Sequence, residues 1–414
     1  RGFESHRLLN NILNSKKYYS WVLYDWANSA YATIVLAGFF PIIYAEYYAT
    51  TITDSERTLY LGVSNSVASI ILIFIAPIFG LLSDKFSNKK LFLFIFAALS
   101  ISSTFTLSMI SNDSYILASI LFSISLLGFM MSNVFYDSML LNFESDNYDV
   151  VSSMGYAFGY LGGGLAFVLS LTLLYMQGES SVDLISSKKI VFIIAGLWWT
   201  IFMLPLFLFW KENKNTSVST TVFNTFREIR LNKSIFYFLI AYWVYIDGVD
   251  TVIRMAINYG LTIGFNSFDL LIALLVTQFV AFPGTLLINK FAEHFSAETA
   301  IVGCLLVYLV ITVQAYFLDS IIGFYLIASL VGLVQGGIQA LSRSYFARLI
   351  PNEKHSEYFG IYNMLGKFAA LLGPIIVGLV TFITEDSRLG ILSISIFFIF
   401  GIILFSHSRK YKLN

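Results

Sequence analysis

Twelve apolar stretches, each long enough to cross a lipid bilayer, run along this chain of 414 residues. A helix needs about 20 consecutive apolar residues to span the hydrocarbon core. Only 12% of the residues are charged, whereas soluble domains carry about 25%. We therefore predict an all-α membrane protein that crosses the bilayer twelve times. The stretches lie at 19–47, 58–82, 90–110, 114–140, 150–176, 189–210, 234–262, 267–289, 297–318, 320–349, 356–384 and 387–408.

The longest polar connection, residues 211–233, follows the sixth stretch and predicts a cytoplasmic linker between two halves. We expect one six-helix bundle over 1–210 and a second over 234–414. Lysine and arginine favour cytoplasmic loops. With the N-terminus inside, the inner segments hold 19 of these residues and the outer loops hold 4. This asymmetry predicts that both termini lie in the cytoplasm.

The two halves repeat polar residues at matching places. Asp25 and Asn28 in the first stretch correspond to Asp247 and Asp250 in the seventh. The loops after the second and eighth stretches share an acid, a base, a phenylalanine and a serine at equal offsets. Parallel repeats of six helices, related by an axis along the membrane normal, are a transporter architecture. The repeat therefore predicts two pseudo-symmetric bundles with a substrate site between them.

The segment Gly80–Lys89 resembles the loop signature of the major facilitator superfamily, G-x-L-x-D-[RK]-x-G-[RK]-[RK]. It departs from that pattern at Ser87 and Asn88. Other segments resemble the branch that contains the fungal vacuolar amino-acid effluxers and their bacterial relatives. These segments are YDWANSAYAT (24–33), GYAFGYLGGG (155–164), YIDGVDTVIRMA (245–256) and VQGGIQALSRSYFARLIP (334–351).

This resemblance implies a proton-motive or facilitative carrier that works by alternating access. For the fungal members it implies release of amino acids from the vacuole. The compact loops favour the bacterial type, and hence the inner membrane of a bacterium, with a vacuolar-type membrane as the alternative. A lipid- or lysolipid-moving member of the same fold, or a sensor that transports nothing, is the alternative function.

Charged and polar residues inside membrane helices are energetically costly and mark pathways for substrates or ions. Asp25 and Asn28 share one face of the first helix, which is either a cavity wall or a contact with a neighbouring helix. Helices one, seven, ten and eleven supply both charges and amides, a combination that suits an amino acid or a similar zwitterion. The substrate-binding candidates are Asp25, Asn28, Tyr31, Asp250, Arg254, Gln335, Gln339, Asn363 and Lys367.

Three aspartates are candidates for proton coupling. Asp250 and Arg254 are four residues apart and can pair within the seventh helix. That pairing leaves Asp247 as the unpaired carboxylate and the first candidate proton carrier, although an inert structural ion network is the alternative. Asp137 in the fourth helix is nearer the cytoplasmic edge, so gating or loop anchoring is an equal interpretation for it.

Gating and packing are expected at other positions. Asp84 and Lys85 after the second helix, Glu293 after the eighth and Arg343 in the tenth are gating candidates. Glycines at 155, 159 and 163 follow a spacing of four on the fifth helix. Small residues at this spacing let helices approach closely, so we interpret them as a packing surface.

Enzyme motifs do not occur in the sequence. It has no H-E-x-x-H, G-x-S-x-G or G-x-x-x-x-G-K-[ST] segment, as zinc proteases, α/β-hydrolases and nucleotide-driven pumps would require. We expect no catalytic activity, no metal and no cofactor. The expected partners are a small-molecule substrate and membrane lipids, without nucleic acid, and the chain is expected to act as a monomer.

Overall fold

A computed structural model describes residues 15–85, 88–139, 143, 148–176, 189–211, 222–350, 358, 361–362, 365–366 and 372–412. The described chain is built of helices. A bilayer offers no water to backbone N–H and C=O groups, so a spanning segment must satisfy them internally, as a helix does. Large apolar side chains such as Phe74 and Leu326 are exposed on the helix surfaces, as expected for helices that face lipid.

Among the described residues, eleven helices are long and apolar enough to cross a membrane, and they agree with eleven of the twelve predicted stretches to within several residues at their ends. Of the remaining stretch, 356–384, the structure describes a continuous helix over Leu372–Thr384. In the N-terminal half the helices are Lys16–Tyr48, Asp54–Lys85, Lys89–Leu107, Tyr115–Met139, Tyr148–Met176 and Ile190–Phe209. In the C-terminal half they are Lys233–Thr262, Ser267–His294, Ala297–Tyr316, Ile321–Leu349, Leu372–Thr384, and Ser387–Leu392 followed by Ser395–Lys412. We call these the first to twelfth helices. Leu372–Thr384 is the described part of the eleventh.

The first helix departs from regular α-helical geometry in its second half. It is α-helical over Lys16–Ala30 and π-helical over Tyr31–Phe39. A short α-helical turn, Phe40–Ile43, separates this segment from a second π-helical segment, Tyr44–Tyr48. π-Helical turns are rare and frequently occur at functional sites. The sequence pattern did not predict them.

The linker contains a helix that the polar composition did not suggest. Val222–Leu231 is α-helical, and Asn232 then caps the seventh helix by accepting a hydrogen bond from the backbone N–H of Ile235. Arg227 and Arg230 are exposed on this helix, whereas Ile229 is buried. The helix is therefore amphipathic.

Residue contacts divide the chain into two compact units. The first unit comprises Arg1–Phe40, Phe74–Ile110 and Ile124–Val218, and the second comprises Pro41–Ile73, Ser111–Ser123 and Ser219–Asn414. The boundaries fall inside the first, second and fourth helices, so the units do not coincide with the two halves expected from the sequence. The division of the chain at residues 211–233 stays a prediction, which rests on the sequence repeat. The two units are described separately below.

Candidate functional site

Asp247 lies on the seventh helix in the second unit and is almost fully buried, with 1% of its surface exposed. Its two carboxylate oxygens accept hydrogen bonds from the backbone N–H groups of Leu372 and Gly373, each at 3.0 Å. These amides are the first two of the described stretch of the eleventh helix. Asp247 therefore joins the seventh helix to the backbone of the eleventh.

This arrangement corrects one expectation. Asp247 was expected to be the unpaired carboxylate of the seventh helix, because Asp250 has Arg254 one turn away. Instead, backbone amides that carry no charge engage both oxygens of Asp247. Hydrogen bonds to a carboxylate favour its ionised form, whereas burial favours its neutral form. Asp247 is thus a structural partner of the eleventh helix, whatever its part in proton transfer.

The contact between the seventh and eleventh helices depends on glycine at position 373, which has no side chain. A Cβ at Gly373 would lie 1.8 Å from the Thr251 hydroxyl oxygen and 2.9 Å from a carboxylate oxygen of Asp247. Thr251 donates its hydroxyl hydrogen to the backbone carbonyl of Asp247 at 2.7 Å. Only glycine leaves room for the hydroxyl and the carboxylate together, so Gly373 belongs to the site as much as Asp247 does.

Asp250 and Arg254 follow on the same helix. The closest approach between the Arg254 guanidinium and the Asp250 carboxylate is 4.0 Å, at the outer limit of an ion pair. Arg254 is buried, with 7% of its surface exposed, and it donates a hydrogen bond to the side-chain oxygen of Asn65 at 3.2 Å. The Asp250 side chain is 25% exposed. The two residues place opposite charges side by side, and the carboxylate is the accessible one.

The described polar contacts of the tenth helix go to different neighbours. Ser342 shares a hydrogen bond of 2.7 Å with the Tyr245 hydroxyl, which ties the tenth helix to the seventh. Gln335 is buried and lines a cavity of about 80 Å³ among the seventh to tenth helices. That volume is below the roughly 300–1,000 Å³ usual for small-molecule sites. Gln339 and Arg343 are half-buried.

The candidates of the first helix lie in the first unit and are engaged within it. Asn28 is buried and donates a hydrogen bond to the side-chain oxygen of Asn133 on the fourth helix at 2.6 Å. Tyr31 is 1% exposed, and its ring lies 4.9 Å from that of Phe129 and 5.7 Å from that of Trp199. Asn28 and Tyr31 thus help to hold the first helix within its own unit.

Asp25 faces a different neighbour. A Cβ at Gly155 would lie 3.1 Å from a carboxylate oxygen of Asp25, and one at Gly159 would lie 2.8 Å from the Ser29 hydroxyl. The first helix therefore packs against the glycines of the fifth helix, which confirms that these glycines form a packing surface. The polar face expected on the first helix is divided, with Asn28 toward the fourth helix and Asp25 and Ser29 toward the fifth.

The remaining candidates are only partly described. Asp137 on the fourth helix is half-buried, next to Tyr136, whose carbonyl accepts a hydrogen bond from the Trp21 indole at 3.3 Å. Asn363 and Lys367 lie outside the described residues. Asp84, Lys85 and Glu293 are placed on helices, but their side chains are not described. The roles expected for these residues stay predictions.

Sequence reasoning missed four partners of the seventh helix, namely Thr58, Asn65, Leu372 and Gly373. Asn65 is a buried polar residue in an apolar helix, and that signal was present in the sequence. The Gly373-Pro374 pair inside an apolar stretch was a second signal, because proline lacks an N–H and disturbs the hydrogen bonding of a helix interior. The backbone amides themselves leave no trace in the sequence.

Comparison with known proteins agrees with this architecture. The family model described as "Vacuole effluxer Atg22 like" matches residues 53–411. The uncharacterized MFS-type transporter YxiO of Bacillus subtilis is 35% identical over 402 residues, which is 94% of this chain and 94% of that protein. Autophagy-related protein 22 of Vanderwaltozyma polyspora is 24% identical over 359 residues, covering 72% of this chain and 68% of that protein.

Solved structures support the fold alone. The crystal structure of a D-xylose-proton symporter matches with a TM-score of 0.69 at 12% identity, over 96% of each chain. The all-helical architecture of the described residues is therefore that of the major facilitator type, with eleven helices long enough to cross a membrane and a shorter one, Leu372–Thr384. Together these findings show that the protein is a multi-pass membrane transporter of the major facilitator superfamily and belongs to the Atg22-like vacuole effluxer family.

Proposed function

We propose that the protein moves amino acids or similar small zwitterions across the inner membrane of a bacterium, and that protons drive the movement. The family description supports efflux as the direction, and the YxiO relative from Bacillus supports a bacterial membrane. The fungal members of the family are relatives at lower identity, so a vacuolar membrane is the second choice.

The observation that carries this proposal is the pairing of charges on the seventh helix. Asp250 presents a carboxylate with a quarter of its surface exposed, 4.0 Å from a buried guanidinium. A zwitterion offers an ammonium group to the Asp250 carboxylate and a carboxylate to the Arg254 guanidinium. A neutral substrate offers no charge to either group, so it would gain nothing from this arrangement of opposite charges.

The same geometry favours Asp250 over Asp247 as the group that exchanges a proton. Asp247 has 1% of its surface exposed and two backbone donors on its oxygens. Asp250 is accessible, and its interaction with Arg254 is long enough to be broken by a proton or by a substrate ammonium group. Protonation of Asp250 would leave the Arg254 guanidinium available to a substrate carboxylate.

Reconstituted vesicles test the proposal. The purified protein is placed in proteoliposomes with an imposed pH gradient, and uptake of a radiolabelled amino-acid mixture is measured. We expect accumulation that collapses with a protonophore. Asp250→Asn keeps an oxygen that can accept from the substrate ammonium group but cannot take up a proton, so it should keep exchange of labelled for unlabelled substrate and lose accumulation by at least tenfold. Asp269→Asn is the matched control. Asp269 lies in the first turn of the eighth helix, away from the charge pair, and its carboxylate accepts a hydrogen bond from the Tyr325 hydroxyl.

The outcomes separate the alternatives. Accumulation of a lysolipid in place of amino acids would establish the lipid-moving alternative, and no uptake of either would favour a sensor. If Asp250→Asn accumulates substrate normally, coupling lies elsewhere, with Asp247, Asp25 and Asp137 next. Lys367→Met tests the zwitterion assignment, because it should weaken binding of an amino acid far more than binding of its decarboxylated amine.

A further inference from the structure

An open cavity of about 570 Å³ lies where the linker helix meets the seventh helix, inside the second unit. Small-molecule sites usually have volumes of roughly 300–1,000 Å³. Side chains of the linker helix, of the first turn of the seventh helix and of the end of the twelfth helix line it. We call this cavity, which Glu228, Lys233 and Tyr411 line, the linker cavity. It lies about 25 Å along the seventh helix from Asp250, at a rise of about 1.5 Å per residue, so it is separate from the charge pair of that helix.

Two groups of opposite charge line the linker cavity. The Lys233 ammonium lies 5.2 Å from the centroid of the Tyr411 ring, in a cation–π contact. Among the residues that the structure describes, Lys233 has no ion-pair partner. The half-buried Glu228 carboxylate accepts a hydrogen bond at 3.4 Å from the hydroxyl of Tyr358, which is itself buried. These contacts hold a cation and an anion in place on the wall of one cavity.

Ser234 adds a hydrogen-bond donor to the same wall. It lies in the first turn of the seventh helix and is 7% exposed, and its hydroxyl has no hydrogen-bond partner among the described residues. Buried polar side chains nearly always have such a partner. Rotation about a single bond can turn this hydroxyl toward a ligand oxygen in the cavity. Backbone N–H groups in the first turn of a helix favour bound anions, so Lys233, Ser234 and the start of the helix together suit a phosphate group.

The surroundings of the linker cavity are basic and partly apolar. Arg227 and Arg230 are exposed on the linker helix, and Arg409 and Lys410 are exposed at the end of the twelfth helix. Leu231, which lines the cavity, is 75% exposed. Basic residues near a membrane surface attract the anionic groups of lipids, and exposed apolar side chains of an amphipathic helix insert between lipids. Because the seventh membrane helix begins and the twelfth ends at this cavity, a lipid can reach it.

We propose that the linker cavity binds the headgroup of an amine-bearing phospholipid such as phosphatidylethanolamine. The phosphate lies against Lys233 and Ser234, and the ammonium group lies against Glu228. Leu231 contacts the acyl chains. A phospholipid without an amine, such as phosphatidylglycerol, offers no cation to Glu228, and the carboxylate would repel its phosphate. Glu228 therefore gives the cavity its preference for an amine, and the bound lipid fixes the linker helix at the membrane surface.

Native mass spectrometry of the delipidated protein in detergent tests the site, and it needs no transported substrate. Short-chain phosphatidylethanolamine and phosphatidylglycerol of equal chain length are titrated in turn, and the fraction of protein with bound lipid is measured. We expect saturable binding of phosphatidylethanolamine that is about tenfold tighter than binding of phosphatidylglycerol, equivalent to about 1.4 kcal/mol. Free phosphorylethanolamine is the third ligand. Equal affinity for it and for the lipid would assign the cavity to a soluble phosphate compound and overturn the lipid site.

Two charge variants separate the roles of the phosphate and the amine. Lys233→Gln should weaken binding of both lipids about tenfold, since each carries a phosphate. Glu228→Gln should abolish the preference for phosphatidylethanolamine, since it removes both the partner of the ammonium group and the repulsion of phosphatidylglycerol. Lys290→Gln and Glu385→Gln are the controls. Each removes the same charge at an exposed position elsewhere in the second unit and should leave both affinities unchanged.

Ser234→Ala distinguishes a binding role from a purely structural one. Because the hydroxyl has no partner among the described residues, its removal should leave the melting temperature unchanged or higher. Binding of phosphatidylethanolamine should nevertheless weaken about threefold, as expected for the loss of one neutral hydrogen bond. Equal affinities in the unaltered protein and in both charge variants, or equal losses in the controls, would overturn the site. A preference of the unaltered protein for phosphatidylglycerol would overturn the selection of an amine by Glu228.

Discussion

The first and seventh helices hold equivalent places in the two halves, yet their polar residues have different partners. In the first helix, Asn28 binds Asn133 and Asp25 lies against glycines of the fifth helix. In the seventh, Asp247 binds backbone amides of the eleventh helix and Arg254 binds Asn65 of the second. Matching positions in a repeat therefore do not imply matching roles.

The difference concerns what each helix is attached to. The described hydrogen bond of Asn28 reaches the fourth helix, and the described neighbours of Asp25 lie on the fifth helix. The seventh helix instead joins the eleventh helix to a segment from the N-terminal half. Arg254 lies between two partners, Asp250 and Asn65, which supports the proposal that coupling uses the seventh helix.

Replacing the two aspartates should give the largest contrast. Asp247→Ala leaves the N–H groups of Leu372 and Gly373 without this acceptor, and inside a bilayer, which offers no water in exchange, each costs about 1–3 kcal/mol. We expect the free energy of unfolding to fall by about 2–6 kcal/mol. Asp25→Ala should cost about 1 kcal/mol, typical of a single substitution. Denaturation in detergent, followed by tryptophan fluorescence, measures both. Equal losses would mean that Asp25 anchors its helix as firmly as Asp247 does.

Glycine substitutions should give an intermediate effect in the first unit. A Cβ at Gly162 would lie 2.6 Å from the carbonyl oxygen of Trp26, so Gly162→Ala should destabilise the protein by about 1–3 kcal/mol through overpacking. Gly164→Ala, on the same helix with open space around it, is the control and should change stability by less than about 0.5 kcal/mol. A neutral Gly162→Ala would show that the first helix is loosely held.

Double-mutant cycles should reveal the smallest difference. Hydrogen bonds between membrane helices average about 0.6 kcal/mol of coupling, with a maximum of about 1.7. We expect about 0.6 for Asn28 with Asn133, which are neutral amides. The charged guanidinium should raise the value to about 1.5 for Arg254 with Asn65, since hydrogen bonds to charged groups are stronger. A larger coupling energy for Asn28 with Asn133 than for Arg254 with Asn65 would indicate that the Arg254–Asn65 hydrogen bond is broken in solution.

The amino-acid sequence was sufficient to predict the helices and the family. Apolar stretches of bilayer length must become helices, because the hydrocarbon core leaves the backbone no other partner. The loop signature at Gly80–Lys89 identified the superfamily, and the segments that contain Asp25 and Asp247 identified the branch. The spacing of Gly155, Gly159 and Gly163 predicted close packing, and the structure supplied the neighbour.

Only the tertiary structure decided which polar groups meet. Asp247 and its two donors are 125 and 126 residues apart, and Arg254 is 189 residues from Asn65. Helical periodicity places residues on a face but does not say which distant helix covers that face. Backbone amides carry no sequence signature, so the carboxylate that looked unpaired along its own helix found its partners only in the folded chain.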